Sequence, residues 1–201
     1  MIKIFRYFII LCFANLLHAQ KIKVDSGSIE SLANVKRYKV VFTYASDLKI
    51  KGYDSEEDFL KFQSERMEQK VAGSGEEFKK RWVENRTDLY EPSFIQEFNG
   101  FLIENKHVTV ARNIRQANYI MLVKTEAVDS GYDDLFYVEE GGLDVSITFF
   151  ESETPEHILY AISTKVRGNA NADDFERIRT SYGNLGLAIS KHLNRKALVK
   201  N

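Results

Sequence analysis

A period of two in the hydrophobic and polar positions recurs along this chain, which is the pattern of half-buried β-strands. It predicts strands at 35–44, 143–150 and 158–166, and apolar runs predict two more, at 107–110 and 119–128. The third strand along the chain is apolar on both faces, at Ile120, Met121 and Leu122, which favours a central place in the sheet. The last two strands flank the polar segment 151–156, so we expect them to form a β-hairpin.

Apolar residues spaced by three and four positions predict helices elsewhere. The turn 73–75 separates the first two helices, and Pro92 opens a third, because proline pre-sets the first helical turn. Gly183 and Gly186 lie in the final helix, which is capped at 173–174, and we expect them to allow close backbone packing against the sheet. The apolar stripe of that helix consists of Phe175, Ile178, Tyr182, Leu185, Ile189 and Leu193.

The resulting order, in which the segment after Pro92 is not counted separately, is β-α-α-β-β-β-β-α. It predicts an α+β fold with a mostly antiparallel or mixed sheet and helices packed on one face. Only two prolines occur, and no Ser/Gly-rich tract interrupts the chain as a linker would. Of the 201 residues, the roughly 180 that follow the first nineteen suit one domain with a sizeable core. We therefore predict a single domain at 35–198. An N-terminal extension at 20–34 and a signal peptide at 1–19 precede it.

The N-terminal segment has a pattern of its own. Lys3 and Arg6 precede an apolar run at 7–17, and the small residue Ala19 then precedes Gln20. This is the layout of a secretory signal peptide, and the run is shorter than the ~20 residues that a membrane-spanning helix needs. We predict cleavage between Ala19 and Gln20 and an exported protein, periplasmic or secreted.

Cys12 lies within this apolar run, where a lipid anchor is the alternative. A lipoprotein signal places a small residue before its cysteine, but Leu11 stands there, so we favour an unmodified Cys12. Cleavage would remove this only cysteine. Without Lys3 and Arg6, 26 basic residues remain of 28, against 29 acidic ones, so the net charge moves from −1 to −3. Such a chain has no basic excess for nucleic acid.

Motifs of the common enzyme classes are absent from the sequence. There is no GxSxG, no HExxH, no phosphate-binding loop that ends in Lys-Ser/Thr, and no EF-hand spacing. His107, His157 and His192 lie on separate predicted elements, so their spacing indicates no zinc site. We expect no cofactor and no enzyme. A small hydrolase is the last alternative, because catalytic groups can converge from distant positions.

The segment 129–144 combines acidic and aromatic residues. Its carboxylates are Asp129, Asp133, Asp134, Glu139, Glu140 and Asp144. They suit either a solvated loop or a Ca²⁺ site, since Ca²⁺ takes six to eight oxygen ligands. Aromatic residues are unusual in a purely solvated loop and are frequent anchors at protein interfaces. Tyr132, Phe136 and Tyr137 are therefore our candidate binding residues.

Three segments resemble known proteins: 117–125, the hairpin after Gly142, and 174–178 with its continuation 182–186. A strand of this type, followed by paired strands and a final helix, resembles a group of uncharacterised secreted proteins of Bacteroidota. It also resembles the fold of the TolB amino-terminal domain and of the curli-secretion lipoprotein CsgG. That group has no catalytic residues to transfer. The resemblance implies a periplasmic accessory or assembly module, although Leu11 departs from its lipoprotein members.

Taken together, these patterns favour a non-enzymatic exported protein that binds another envelope protein. The alternative is a small-ligand-binding protein with a pocket between the sheet and the helix at 92–104. Tyrosines of the sheet are the residues that could line such a pocket, although sheet tyrosines are more often core residues. They are Tyr38, Tyr44, Tyr119 and Tyr160.

Overall fold

The computed structural model describes residues 21–106, 108–134, 137–170 and 173–196. The predicted signal peptide, with Cys12 and the cleavage junction between Ala19 and Gln20, lies outside the described residues. His107 and Phe136 also lie outside them. In the part of the chain that is described, no helix is both long enough and apolar enough to cross a membrane.

The described residues contain eight strands: β1 Lys23–Gly27, β2 Arg37–Ile50, β3 Thr109–Ala111, β4 Tyr119–Asp129, β5 Tyr132–Asp134, β6 Tyr137–Glu139, β7 Gly142–Glu151 and β8 Thr154–Arg167. Six of them form one sheet in the order β1-β8-β7-β4-β2-β3. Strand β2 runs parallel to β3 and β4, and the other neighbours are antiparallel. Strands β5 and β6 form a separate antiparallel pair. The sheet is therefore mixed.

Four α-helices accompany the sheet: α1 Glu56–Glu68, α2 Ser74–Asn85, α3 Glu91–Lys106 and α4 Asp174–Lys196. A 3₁₀ helix spans Ile29–Leu32, and a π-helical turn, Arg86–Tyr90, joins α2 to α3. Pro92 lies in the first turn of α3, as predicted, directly after the π-helical turn, in which the Glu91 N–H donates to the Arg86 carbonyl. Gly73 has a φ of 84° and connects α1 to α2 through the left-handed region.

The helices pack on one face of the sheet, and the predicted α+β class is confirmed. Strand β7 shows why this face is covered. Its side chains alternate, and every second one is buried under the helices: Leu143, Val145, Ile147 and Phe149. The predicted stripe of α4 supplies the other side of this core, where all six of its residues are buried.

Residues 23–34, which we predicted to belong to an extension before the domain, contribute to the domain itself. Strand β1 pairs antiparallel with β8 and forms an edge of the sheet. Leu32 is buried in the core. The period-two pattern missed β1 because all five of its residues are exposed, and a strand without a buried face has no hydrophobic alternation.

The two glycines of α4 pack against α3, whereas we expected them to pack against the sheet. A Cβ at Gly186 would lie 2.3 Å from the carbonyl oxygen of Phe94, and one at Gly183 would lie 3.0 Å from the Ser93 hydroxyl. These distances show that the two helices approach closely at this point. The glycines face sideways because the apolar stripe of α4 already occupies the sheet side.

Candidate functional site

Part of the segment 129–144, for which a solvated loop was one of our interpretations, forms a short β-hairpin. We define residues 130–141 as the hairpin site. Strands β5 and β6 pair through three residue pairs, from Tyr132 with Glu139 to Asp134 with Tyr137. Tyr132 is 51% exposed and Val138 is 45% exposed, which makes them two of the few large apolar side chains on the described surface.

The three candidate binding residues lie at different positions relative to this hairpin. Tyr132 begins β5 and is exposed, as a contact residue must be. Tyr137 begins β6, although its side chain lies outside the described part of the chain. Phe136 lies outside the described residues altogether. Val138 was not predicted, because a single valine between Tyr137 and Glu139 has no distinctive pattern.

Arg177 of α4 anchors the base of the hairpin site. Its side chain is only 1% exposed, and its guanidinium forms an ion pair with Asp174. The Nε atom also donates a hydrogen bond of 2.7 Å to the carbonyl oxygen of Ser130. A buried charge requires such partners, because an uncompensated one costs several kcal/mol. The base of the hairpin is therefore connected to the longest helix of the fold.

Two glycines make room for this arginine at the two ends of the hairpin. Gly131 has a φ of +71°, and a Cβ there would lie 2.7 Å from the Nε atom of Arg177. At Gly141, a Cβ would lie 2.8 Å from the Cβ atom of Arg177. The arginine side chain thus occupies the space that larger residues would need at either end.

Sequence reasoning missed Arg177, although one signal was available. The arginine lies between Phe175 and Ile178, two positions of the buried stripe of α4. A charged residue within a buried stripe indicates a buried ion pair, since such residues are almost never fully buried without a partner. Its partners, Ser130 and Gly131, are more than forty residues away and could be found only from the tertiary structure.

A charged network supports the hairpin from the sheet side. The ammonium group of Lys51 contacts the carboxylates of Glu139 and Asp129, the latter at 3.0 Å. Arg167 contacts Asp129 at 3.2 Å. These hydrogen bonds to two carboxylates raise the pKa of Lys51. Because the pairs are partly exposed, each one contributes little stability. The pair between Lys51 and Glu139 is the one that reaches the hairpin, at strand β6.

The same contacts bear on the Ca²⁺ alternative for 129–144. Among the acidic residues of that segment, Asp129 and Glu139 pair with Lys51, and Asp144 pairs with Lys165. Within the described residues, no group of three or more His, Cys, Asp or Glu side chains is placed to hold a metal ion. These three carboxylates therefore serve as ion-pair partners.

The two described histidines lie apart. His192 of α4 hydrogen-bonds the Tyr160 hydroxyl at 2.9 Å, and the two rings are nearly parallel. His157 is exposed on β8. Because these rings belong to separate surroundings, they do not converge on one site.

The interface between the sheet and α3 is filled, which argues against a ligand pocket there. Phe94 and Phe98 of α3 are fully buried, and Phe42 of β2 contacts Phe94 edge to face, with ring centroids 5.4 Å apart. A cavity nearby, between Tyr44 and Tyr182, has a volume of about 10 Å³. That volume holds about one water molecule. Tyr38 and Tyr160 are core residues.

No family model matches this chain, and no curated protein matches it. Among solved structures, it is similar to the PelC dodecamer from Paraburkholderia phytofirmans, at 10% identity over 85% of this chain and 97% of that chain, with a TM-score of 0.38. A neuraminyllactose-binding hemagglutinin homologue from Helicobacter pylori is similar at 12% identity over 84% of this chain and 88% of that chain, with a TM-score of 0.30. TM-scores this low carry no argument about function.

Proposed function

We propose that this chain is an exported, non-enzymatic protein that binds another envelope protein through the hairpin site. The observation that carries the proposal is the exposure of Tyr132 and Val138 on a hairpin whose base is held by the buried Arg177. Tyrosine is enriched among the residues that dominate binding energy at interfaces. The signal-peptide pattern at 1–19 supports export, and the absence of catalytic motifs supports a binding role.

The anchored base has a thermodynamic consequence for binding. A mobile loop loses conformational freedom when it binds, and that loss weakens the complex by about 0.5–1.5 kcal/mol for each side chain that becomes ordered. Ser130 is hydrogen-bonded to Arg177, and Glu139 is paired with Lys51, so both ends of the hairpin are held before a partner arrives. The exposed apolar residues between them are then presented in a nearly fixed orientation.

Site-specific photo-crosslinking tests this proposal directly. A benzophenone amino acid replaces Tyr132 in one variant and Val83 in another, since Val83 of α2 is 56% exposed and lies far from the hairpin in sequence. After irradiation in cells of the source organism, we expect a discrete adduct with an envelope protein from position 132 only. Equal adducts at both positions, or none at position 132, would contradict the proposal.

The proposed export has its own test, which does not depend on the partner. Intact-mass and peptide spectrometry of the protein from its native host should give a mature chain that begins at Gln20. A chain that begins with lipidated Cys12 would support membrane anchoring, as in the lipoprotein members of the group that the sequence resembles. A full-length cytoplasmic chain would overturn the proposed location.

A further inference from the structure

A cleft of about 470 Å³ lies between the end of α1, residues 74–81 of α2 and the start of α4. Its volume is within the range of about 300–1,000 Å³ that is common for small-molecule sites. Met67, Phe78 and Phe175 supply its apolar surface. The rings of Phe78 and Phe175 have centroids 5.3 Å apart and belong to the buried core.

Two guanidinium groups line this cleft, together with the carboxylate of Glu77 from α2. Arg66 comes from α1 and Arg81 from α2. Within the described residues, neither lies at ion-pairing distance from a carboxylate, although the charge of Arg66 acts on Asp174. The guanidinium of Arg81 lies over the ring of Phe175, 4.5 Å from the ring centroid. Two unpaired guanidinium groups above an apolar surface favour a ligand with a carboxylate, because arginine binds that group through paired hydrogen bonds.

Carboxylates line the cleft at the start of α4. Asp173 accepts a hydrogen bond of 2.8 Å from the N–H of Phe175, and Asp174 pairs with Arg177. Burial raises the pKa of Asp174 in spite of that pairing and of the nearby Arg66. Burial therefore disfavours the negatively charged form of this carboxyl, and a further positive charge beside it would stabilise that form.

We propose that the cleft binds a small zwitterion with an apolar body, of the class of apolar α-amino acids. The ligand carboxylate lies against Arg66 and Arg81, and its ammonium group faces Asp173 and Asp174. The side chain of the ligand packs on Phe78. This site is separate from the hairpin site, so either proposal can fail without the other.

Nuclear magnetic resonance titration with three probes tests the proposal on the mature chain. L-Phenylalanine, phenylacetate and phenethylamine share one ring and carry, respectively, both charges, only the negative charge and only the positive charge. We expect L-phenylalanine to shift backbone amide signals around Phe78 and Phe175 in the millimolar range, and the other two to bind about tenfold more weakly, equivalent to 1.4 kcal/mol. No saturable shift, saturable shifts elsewhere, or equal affinity for phenylacetate would overturn the proposal.

Matched variants then assign the ligand carboxylate to its partners. Arg66→Gln and Arg81→Gln should each weaken L-phenylalanine binding about tenfold. Arg179→Gln is the control, because Arg179 lies on α4 outside the cleft and pairs with Glu176. Well-dispersed amide spectra establish that each variant is folded. Unchanged affinity in both cleft variants, or an equal loss in the control, would overturn the assignment.

Discussion

The Nε atom of Arg177 donates a hydrogen bond to the carbonyl oxygen of Ser130 at a distance of 2.7 Å. This contact joins the final helix to the first residue of the hairpin site. Because the arginine is buried, water cannot replace it at the Ser130 carbonyl. The orientation of the hairpin therefore depends on a residue that has no exposed surface with which to contact a partner.

Replacing Arg177 should destabilise the whole domain. Arg177→Ala leaves the Asp174 carboxylate and the Ser130 carbonyl without their partner, and we expect the free energy of unfolding to fall by about 3–5 kcal/mol. Urea denaturation followed by circular dichroism measures the change. Arg179→Ala is the control, since that arginine is partly exposed and pairs within the helix, and it should lose less than about 1 kcal/mol. Similar losses in the two variants would contradict the anchoring role.

Gly131→Ala should cost more stability than Gly52→Ala. Both glycines have positive φ, +71° and +83°, so both variants carry backbone strain of about 1 kcal/mol. Only at position 131 does the new methyl group also meet neighbours, at 2.5 Å from the Glu139 carbonyl and 2.7 Å from Arg177. We expect Gly131→Ala to add about 1–3 kcal/mol to the loss.

Thermal denaturation of the two variants separates the strain from the steric conflict. Hydrogen exchange in Gly131→Ala should also show faster exchange across the hairpin site than in Gly52→Ala. If the two variants have the same melting temperature, the space around Gly131 is not limited by Arg177.

Gly186→Ala and Gly100→Ala should change stability in opposite directions. A Cβ at Gly186 would lie 2.3 Å from the Phe94 carbonyl oxygen, so the methyl group forces α4 away from α3. Gly100 of α3 has open space around it, and alanine there should stabilise the helix by up to about 1 kcal/mol. Chemical denaturation of the two single variants gives the sign of each effect, and a gain at position 186 would contradict the close helix contact.

Ionisation of Glu91 should make the protein less stable as the pH rises above the usual pKa of a glutamate side chain. Burial raises the pKa of this carboxyl, although Arg112 lies 3.0 Å away and acts in the opposite direction. The folded state therefore binds its proton more tightly than the unfolded state. This contribution favours folding below the unfolded pKa and is lost as the pH rises through the folded one.

The variant Glu91→Gln tests this dependence. It removes the titration and retains an oxygen for Arg112, so its stability relative to the parent protein should increase between about pH 4.5 and pH 7. Glu97→Gln is the control, because Glu97 is an exposed residue of the same helix. Urea denaturation at several pH values measures both differences. A constant difference for Glu91→Gln would contradict the expected shift.

Local patterns were enough to predict most of the secondary structure. Strands such as Leu143–Phe150 and the stripe from Phe175 to Leu193 each bury one face. A buried face requires hydrophobic residues at regular spacing, which is visible in the sequence. Strand β1 shows no such periodicity, because it buries neither face and depends on backbone pairing with β8. The candidate residue Tyr132 was also found from local composition, as an aromatic residue among acidic ones.

The sequence by itself determined the fold class, the helix and strand segments with a buried face, the signal-peptide pattern and the absence of common catalytic motifs, because each of these depends on neighbouring residues. Only the tertiary structure decided where the glycines of α4 pack, which carboxylates are paired and what holds the hairpin. Arg177 meets Ser130, and Arg66 and Arg81 share a cleft with Asp174, across separations that carry no local pattern. Such contacts arise from the way whole elements pack together, so they cannot be predicted from any short stretch of neighbouring residues.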